Sequence, residues 1–152
     1  MDGMTNSGTI YFNSQRDGEG TNNIYKSEFI DGQFTPAQKL GEEINSEYRE
    51  FDPFVAPDES FIIFASTRPD GFGSGDLYIS FKNDDGTWTQ ARNIGEPINT
   101  PGPEFCPMLS YDTKYLFFTS GKRVNREFPD KVFNYEDYKQ NHNSHNWDSQ
   151  LW

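Results

Sequence analysis

A chain of 152 residues that is 33% hydrophobic but 16% aromatic can build one domain around a modest, ring-rich core, and so many rings exclude a disordered chain. Its net charge of −11 argues against a phosphate backbone as partner and leaves cations, basic proteins and neutral ligands, so no nucleic acid is expected. No apolar run reaches transmembrane length, the first residues show no export signal, and Cys106 alone cannot form an intrachain disulfide; membrane insertion is not expected.

Glycine (13) and proline (9) spread along the chain predict short strands and frequent turns. The first strand is predicted from Gly8 to Ser14. Its continuation, Ile10-Tyr11-Phe12-Asn13-Ser14-Gln15-Arg16, returns at an offset of 52 as Ile62 to Arg68. At an offset of 54, Gly32-Gln33-Phe34 returns as Gly86-Thr87-Trp88, Leu40-Gly41 as Ile94-Gly95, Ile44-Asn45 as Ile98-Asn99 and Glu50-Phe51 as Glu104-Phe105. Pro53 falls on Pro107, Asp58 on Asp112, and Ile62-Ile63-Phe64-Ala65-Ser66 on Leu116-Phe117-Phe118-Thr119-Ser120.

Within one repeat the predicted strands are A near Phe54-Val55, B from Phe61 to Ser66, C from Leu77 to Phe81 and D from Thr87 to Ala91. Turn chemistry separates them at Pro57-Asp58-Glu59, Asp70 to Gly75, and Asn83-Asp84-Asp85-Gly86. Strand-rich repeats of ~40–50 residues signal four-stranded propeller blades. The expected fold is all-β, a partial β-propeller of about two and a half antiparallel blades in a single unit, 1–152: a partial blade 8–51, a full blade 52–105, and a partial blade 106–152 with an insertion at 121–147. Closed propellers have roughly 4–8 blades, so a short arc leaves faces and edges open. Two expectations follow: a fragment of a longer propeller, or self-association through open blade faces and edges.

The run Pro57-Asp58-Glu59-Ser60-Phe61-Ile62-Ile63-Phe64-Ala65-Ser66-Thr67-Arg68, followed by Gly75-Asp76-Leu77-Tyr78, resembles the Pro-Asp type of WD-repeat-like propeller motif found in TolB-type propellers and many bacterial envelope proteins. The resemblance spans about residues 8–120. The third copy departs from it, with Tyr111-Asp112-Thr113 in place of Pro-Asp-Gly. It implies a fold and a bacterial periplasm or envelope setting, and says little about activity.

By analogy with propellers, the B–C and D–A connections share the ligand-binding face, which places Glu50, Glu104, Arg16 and Arg68 there. Arg68 is expected to pair with Asp76 or with a neighbouring blade's Glu50, and residues that repeat with the period read as scaffold. The third B–C connection is 18 residues longer than the second and holds five of the 13 basic residues, Lys122, Arg123, Arg126, Lys131 and Lys139, with Phe133, Tyr135 and Tyr138. This mixture is a candidate recognition loop, with a short helix over 130–140. The candidate binding set is Glu50, Glu104, Arg68, Arg123, Arg126, Tyr135 and Tyr138.

His142 and His145, with Asp148, hold zinc only if a third ligand converges. The oxygen-rich loops Asp17 to Asn23 and Asp70 to Asp76 lack the helical calcium-loop spacing, and glycine-rich turns are their default reading, so no cofactor is expected. No nucleophile elbow, His-Glu-x-x-His or phosphate loop is present, and Cys106, standing where Asp52 stands one repeat earlier, reads as a small buried filler. The expected function is a non-catalytic module binding a protein or peptide on its loop face. The alternatives are a glycan-active or glycan-binding propeller using the Glu50 and Glu104 pair, and a truncated propeller fragment without independent function.

Overall fold

A computed structural model describes residues 4–18 and 20–121. Ten strands form three antiparallel sheets; among the described residues there is no helix, hence none long and apolar enough to cross a membrane. In the first sheet β1 (Thr9–Ser14) lies against β2 (Asn23–Ile30), with Thr9 opposite Glu28 and Ser14 opposite Asn23. The far edge of β2 takes two short strands, β3 (Gln33–Phe34) and β4 (Gln38–Lys39). The second sheet runs in chain order through β5 (Glu50–Val55), β6 (Phe61–Ser66), β7 (Asp76–Phe81) and β8 (Arg92–Asn93). The third pairs β9 (Glu104–Leu109) with β10 (Leu116–Ser120).

Alternation along β6 explains its place at the centre. Ile62 and Phe64 face one way, Ile63 and Ala65 the other, and all four are buried. On the first side they meet Tyr11, Ile24, Leu40 and Ile44, with Tyr78 beside them. On the second, Ile63, Ala65 and Leu77 meet Leu116 and Phe118 of β10, with Ile94 and Ile98 alongside. Leu40 and Ile44 thus serve the first core as Ile94 and Ile98 serve the second. Burying a side chain such as Phe64 completely contributes about 2–3 kcal/mol.

The first strands of the second and third sheets begin earlier than expected. β5 starts at Glu50 rather than near Phe54, two residues ahead of the blade boundary read at 52, and it absorbs Pro53 in a bulge: Phe51 opposes Ala65 and Phe54 opposes Ile63, leaving Asp52 and Pro53 opposite Phe64 alone. β9 repeats this, with Cys106 and Pro107 opposite Phe118. Asp52 and Cys106 both take positive φ, 49° and 53°, which turns the bulged strand and spares the proline a ladder donor.

The outer strand corrects a second expectation. No strand spans Thr87 to Ala91: Trp88 makes one bridge to Lys82, and regular pairing resumes only at β8. Side chains replace the ladder at the break. The Ser80 hydroxyl donates to the Thr89 carbonyl (2.6 Å), and the Phe81 amide donates to Thr89 Oγ1 (3.0 Å). The first sheet does the same with Ser27 and Thr35 (2.6 Å) and the Glu28 amide (3.0 Å), which is why β3 and β4 are separate.

Buried amides dock each connection onto its sheet. Asn45 Oδ1 accepts the Ile24 N–H (2.7 Å), and its Nδ2 donates to the carbonyls of Ile24 (3.0 Å) and Leu40 (2.8 Å). Asn99 holds Leu77 in the same way, at 2.9 Å to both N–H and carbonyl. Each side chain acts as a peptide unit added to the strand edge.

Candidate functional site

Glu50 and Glu104 open β5 and β9 and are 0% exposed, so they are structural strand residues rather than groups presented on a loop. Glu50 accepts from the Ser46 hydroxyl (2.5 Å), the Ser46 amide (3.1 Å) and the Ser66 hydroxyl (3.1 Å). Glu104 accepts from the Thr100 hydroxyl (2.6 Å), the Thr100 amide (2.9 Å) and the Ser120 hydroxyl (2.7 Å). Three donors converge on each carboxylate, which is what a buried charge requires.

Arg68 pairs with Glu50 (Nε to Oε1, 3.4 Å), which belongs to its own sheet rather than to a neighbouring one. Its Nη2 donates to the Ile44 carbonyl (2.5 Å), and its guanidinium carbon lies 5.6 Å and 5.0 Å from the ring centroids of Phe64 and Tyr78. Arg16 covers Phe12 and Tyr25 equivalently, at 5.1 Å and 4.9 Å. Asp76 takes no part in this: its Oδ2 accepts the amides of Phe72 (2.7 Å) and Gly73 (3.3 Å) and shapes the glycine loop. Among the described residues, no group of three or more His, Cys, Asp or Glu could hold a metal.

A cleft of about 460 Å³ opens on the same face. Glu42, Ser46, Glu47 and Tyr48 come from the β4–β5 connection, Arg68, Pro69 and Asp70 from the β6–β7 connection, and Gln90 and Ala91 from the segment before β8. The Tyr78 hydroxyl donates to Asp70 Oδ1 (2.7 Å); burial first, and then the neighbouring Asp70, push this phenol up to about 12. Asp70 therefore keeps a neutral donor, and exposed Glu42 and Glu47 line the same cleft as Tyr48.

Cys106 is exposed, which corrects the reading of a buried filler: the positive φ of the bulge swings the side chain out of the core. Its amide and its thiol both reach Asp52 Oδ2, at 3.2 Å each, and the Asp52 amide reaches Asn13 Oδ1 (3.2 Å). The hydrogen bond to Asp52, reinforced by partial burial and by its charge, raises the thiol pKa, so the thiolate is suppressed.

At the opposite ends of the strands stands a cluster that sequence reasoning missed. Glu59, in the turn after β5 with φ of 60°, accepts from Ser7 Oγ (2.5 Å), Thr5 Oγ1 (2.9 Å), the Tyr11 hydroxyl (3.0 Å) and Lys82 Nζ. Burial favours the neutral acid, but the bonds from Lys82, Ser7, Thr5 and Tyr11 outweigh it and hold the carboxyl at about 2. Burial and the facing Glu59 in turn raise the Tyr11 phenol. The cluster borders an open cleft of about 620 Å³ that also takes in Lys26, Glu28, Phe29 and Ile30. Because these donors all satisfy one carboxylate joining two sheets, the cluster is a structural latch.

Arg123, Arg126, Tyr135 and Tyr138, the helix expected over 130–140, and His142, His145 and Asp148 lie outside the described residues. The residues brought together are therefore Arg68 and Glu50; Glu104 stands one sheet away in its own polar nest. No protein-family model matches this chain, and no curated protein matches it.

Proposed function

We propose that the chain is a non-catalytic binding module built on part of a β-propeller, its three sheets being successive blades, and that it receives a protein or peptide segment in the loop-face cleft. Support for the blade reading comes from what successive sheets share: the second and third have the proline bulge, and the first and second have the amide-docked connection and the arginine laid over a Phe–Tyr pair. The observation that carries the functional reading is the burial of both repeated glutamates, while an open cleft lies beside Glu50 through its partners Ser46 and Arg68. A glycosidase acid pair must reach its substrate; these carboxylates are closed off by hydroxyls and amides.

The cleft's own chemistry selects the ligand class. Glu42, Glu47 and Asp70 line it, while the one arginine is engaged by Ile44, Glu50 and two rings. An acidic rim with the Tyr48 ring suits a lysine or arginine side chain of a peptide. Fluorescence anisotropy with two labelled random-peptide pools, one enriched in Lys and Arg and one in Asp and Glu, tests this. Preferential binding of the basic pool, weakened by salt and lost in Glu47→Lys, is expected. Equal binding of both pools, or glycan turnover abolished by Glu104→Gln, would overturn it.

A further inference from the structure

We propose that the open face of the β9–β10 sheet docks onto the first sheet of a second copy of this chain, head to tail, continuing the two internal sheet-to-sheet interfaces. This rests on the reading of the three sheets as successive equivalents and adds a partner to it.

Each internal interface is built one way. A sheet offers one face of two neighbouring strands, β1 and β2 in the first sheet and β6 and β7 in the second, and the next sheet covers it with an aliphatic residue and a phenylalanine two positions on. Tyr11 and Ile24 are covered by Ile62 and Phe64, and Ile63, Ala65 and Leu77 by Leu116 and Phe118. In the third sheet the places of Phe54, Phe61 and Ile63 are taken by Met108, Tyr115 and Phe117. Among the described residues nothing equivalent covers them: Ile63 is 4% exposed, whereas Phe117 is 54% and Met108 52% exposed. Adjacent apolar side chains this open on a sheet face mark an interaction surface.

The complementary half is present at the other end of the stack. Ile10 and Phe12 on β1 stand where Ile62 and Phe64 stand on β6, and both are half-buried. Phe12 stacks on Tyr25 with centroids 6.0 Å apart and planes at 21°, as Phe64 does on Tyr78 at 6.1 Å and 22°. Arginine caps both pairs. The first sheet thus carries the surface that the second sheet uses to cover Tyr11, and among the described residues no earlier sheet uses it. A contact between unlike faces is heterologous, so every added copy presents a fresh acceptor face until a ring closes. With a net charge of −11 per copy, repulsion opposes assembly and salt favours it.

Sedimentation velocity on the full chain tests the proposal, with circular dichroism to confirm folding of each variant. The wild type is expected to gain mass with concentration and with salt. Phe117→Asp blocks one face and Ile10→Asp the other, so each alone is expected to be monomeric, and an equimolar mixture to give a one-to-one dimer through the two intact faces. Should Ile10→Asp fail to fold, excess Phe117→Asp added to wild type acts as a chain stopper and lowers the mean mass. A wild type that stays monomeric throughout overturns the proposal, as does an Ile10→Asp variant that folds and still self-associates or a stopper that leaves the mass unchanged. Self-association without discrimination between peptide pools would sink the cleft reading and leave this one standing.

Discussion

The hydroxyl of Tyr11 on β1 donates to Glu59 Oε2 across 3.0 Å, tying the turn of one sheet to a strand of the sheet before it. The partners are 48 residues apart in sequence, and Thr5, Ser7 and Lys82 close on the same carboxylate. A residue with a side chain costs about 1–2 kcal/mol in the left-handed region that Glu59 occupies; the latch offsets that strain.

Glu59→Gln is expected to destabilise the fold by about 2–3 kcal/mol at neutral pH, read as a lower urea midpoint with an unchanged slope. The folded carboxyl sits at about 2 against an ordinary 4.5, so its contribution is complete above 4.5 and is lost as pH falls toward 2. The wild type should weaken progressively across that window. The glutamine variant should show a flatter profile there.

Asn99→Ala strands the Leu77 amide inside the protein, while the Leu77 carbonyl keeps the Ile94 amide (3.0 Å), and the loss costs about 1–3 kcal/mol. Asn99→Asp should be no better, because it sets a second acceptor against the Leu77 carbonyl. Asn45 variants are expected to behave alike through Ile24. Thermal denaturation of all four checks the equivalence, and a Tm shift confined to one of the two sites would break it.

Gly73→Ala is expected to cost about 1–3 kcal/mol or more, since a Cβ there would lie 2.1 Å from the Gly102 carbonyl and 2.5 Å from that of Thr100, both rigid backbone. Gly86→Ala meets open space and bears only the strain of its φ of 84°, about 1 kcal/mol. The ranking of the two by chemical denaturation is the test.

Asp52→Asn removes the charge and weakens the acceptor that together raise the Cys106 pKa. Alkylation of the exposed thiol by iodoacetamide just above neutral pH should accelerate several-fold, because more thiolate is present. An unchanged rate would mean that Asp52 does not govern the thiol.

The repeat and the all-β class were legible because aromatic and aliphatic residues recur at a fixed spacing on strands buried on both faces: Phe64 and Phe118 belong to successive cores at the same step. What failed to show was set by groups distant in sequence or by side chains standing in for backbone. The outer strand was misplaced over Thr87–Ala91 because Ser80 and Thr89 supply the bonds there. Glu50 read as a loop residue because Pro53 disguises a strand carrying a bulge, and the same bulge brings Cys106 to the surface. Glu59 gave no local signal, as three of its four donors lie 48 or more residues upstream. Arg68 was expected to pair with Asp76 or with a neighbouring blade's Glu50; it pairs with Glu50, but within one sheet, because the bulged β5 begins at Glu50 and lies against β6.

The gap in each outer strand also governs how these sheets can grow. An unbroken rim would offer a row of free amides and carbonyls on which any extended peptide could template. Here Thr35 and Thr89 turn inward to occupy the backbone midway, leaving two-residue stubs too short to seed a cross-strand ladder. In the first and second sheets, sideways fibre growth loses its foothold at that rim.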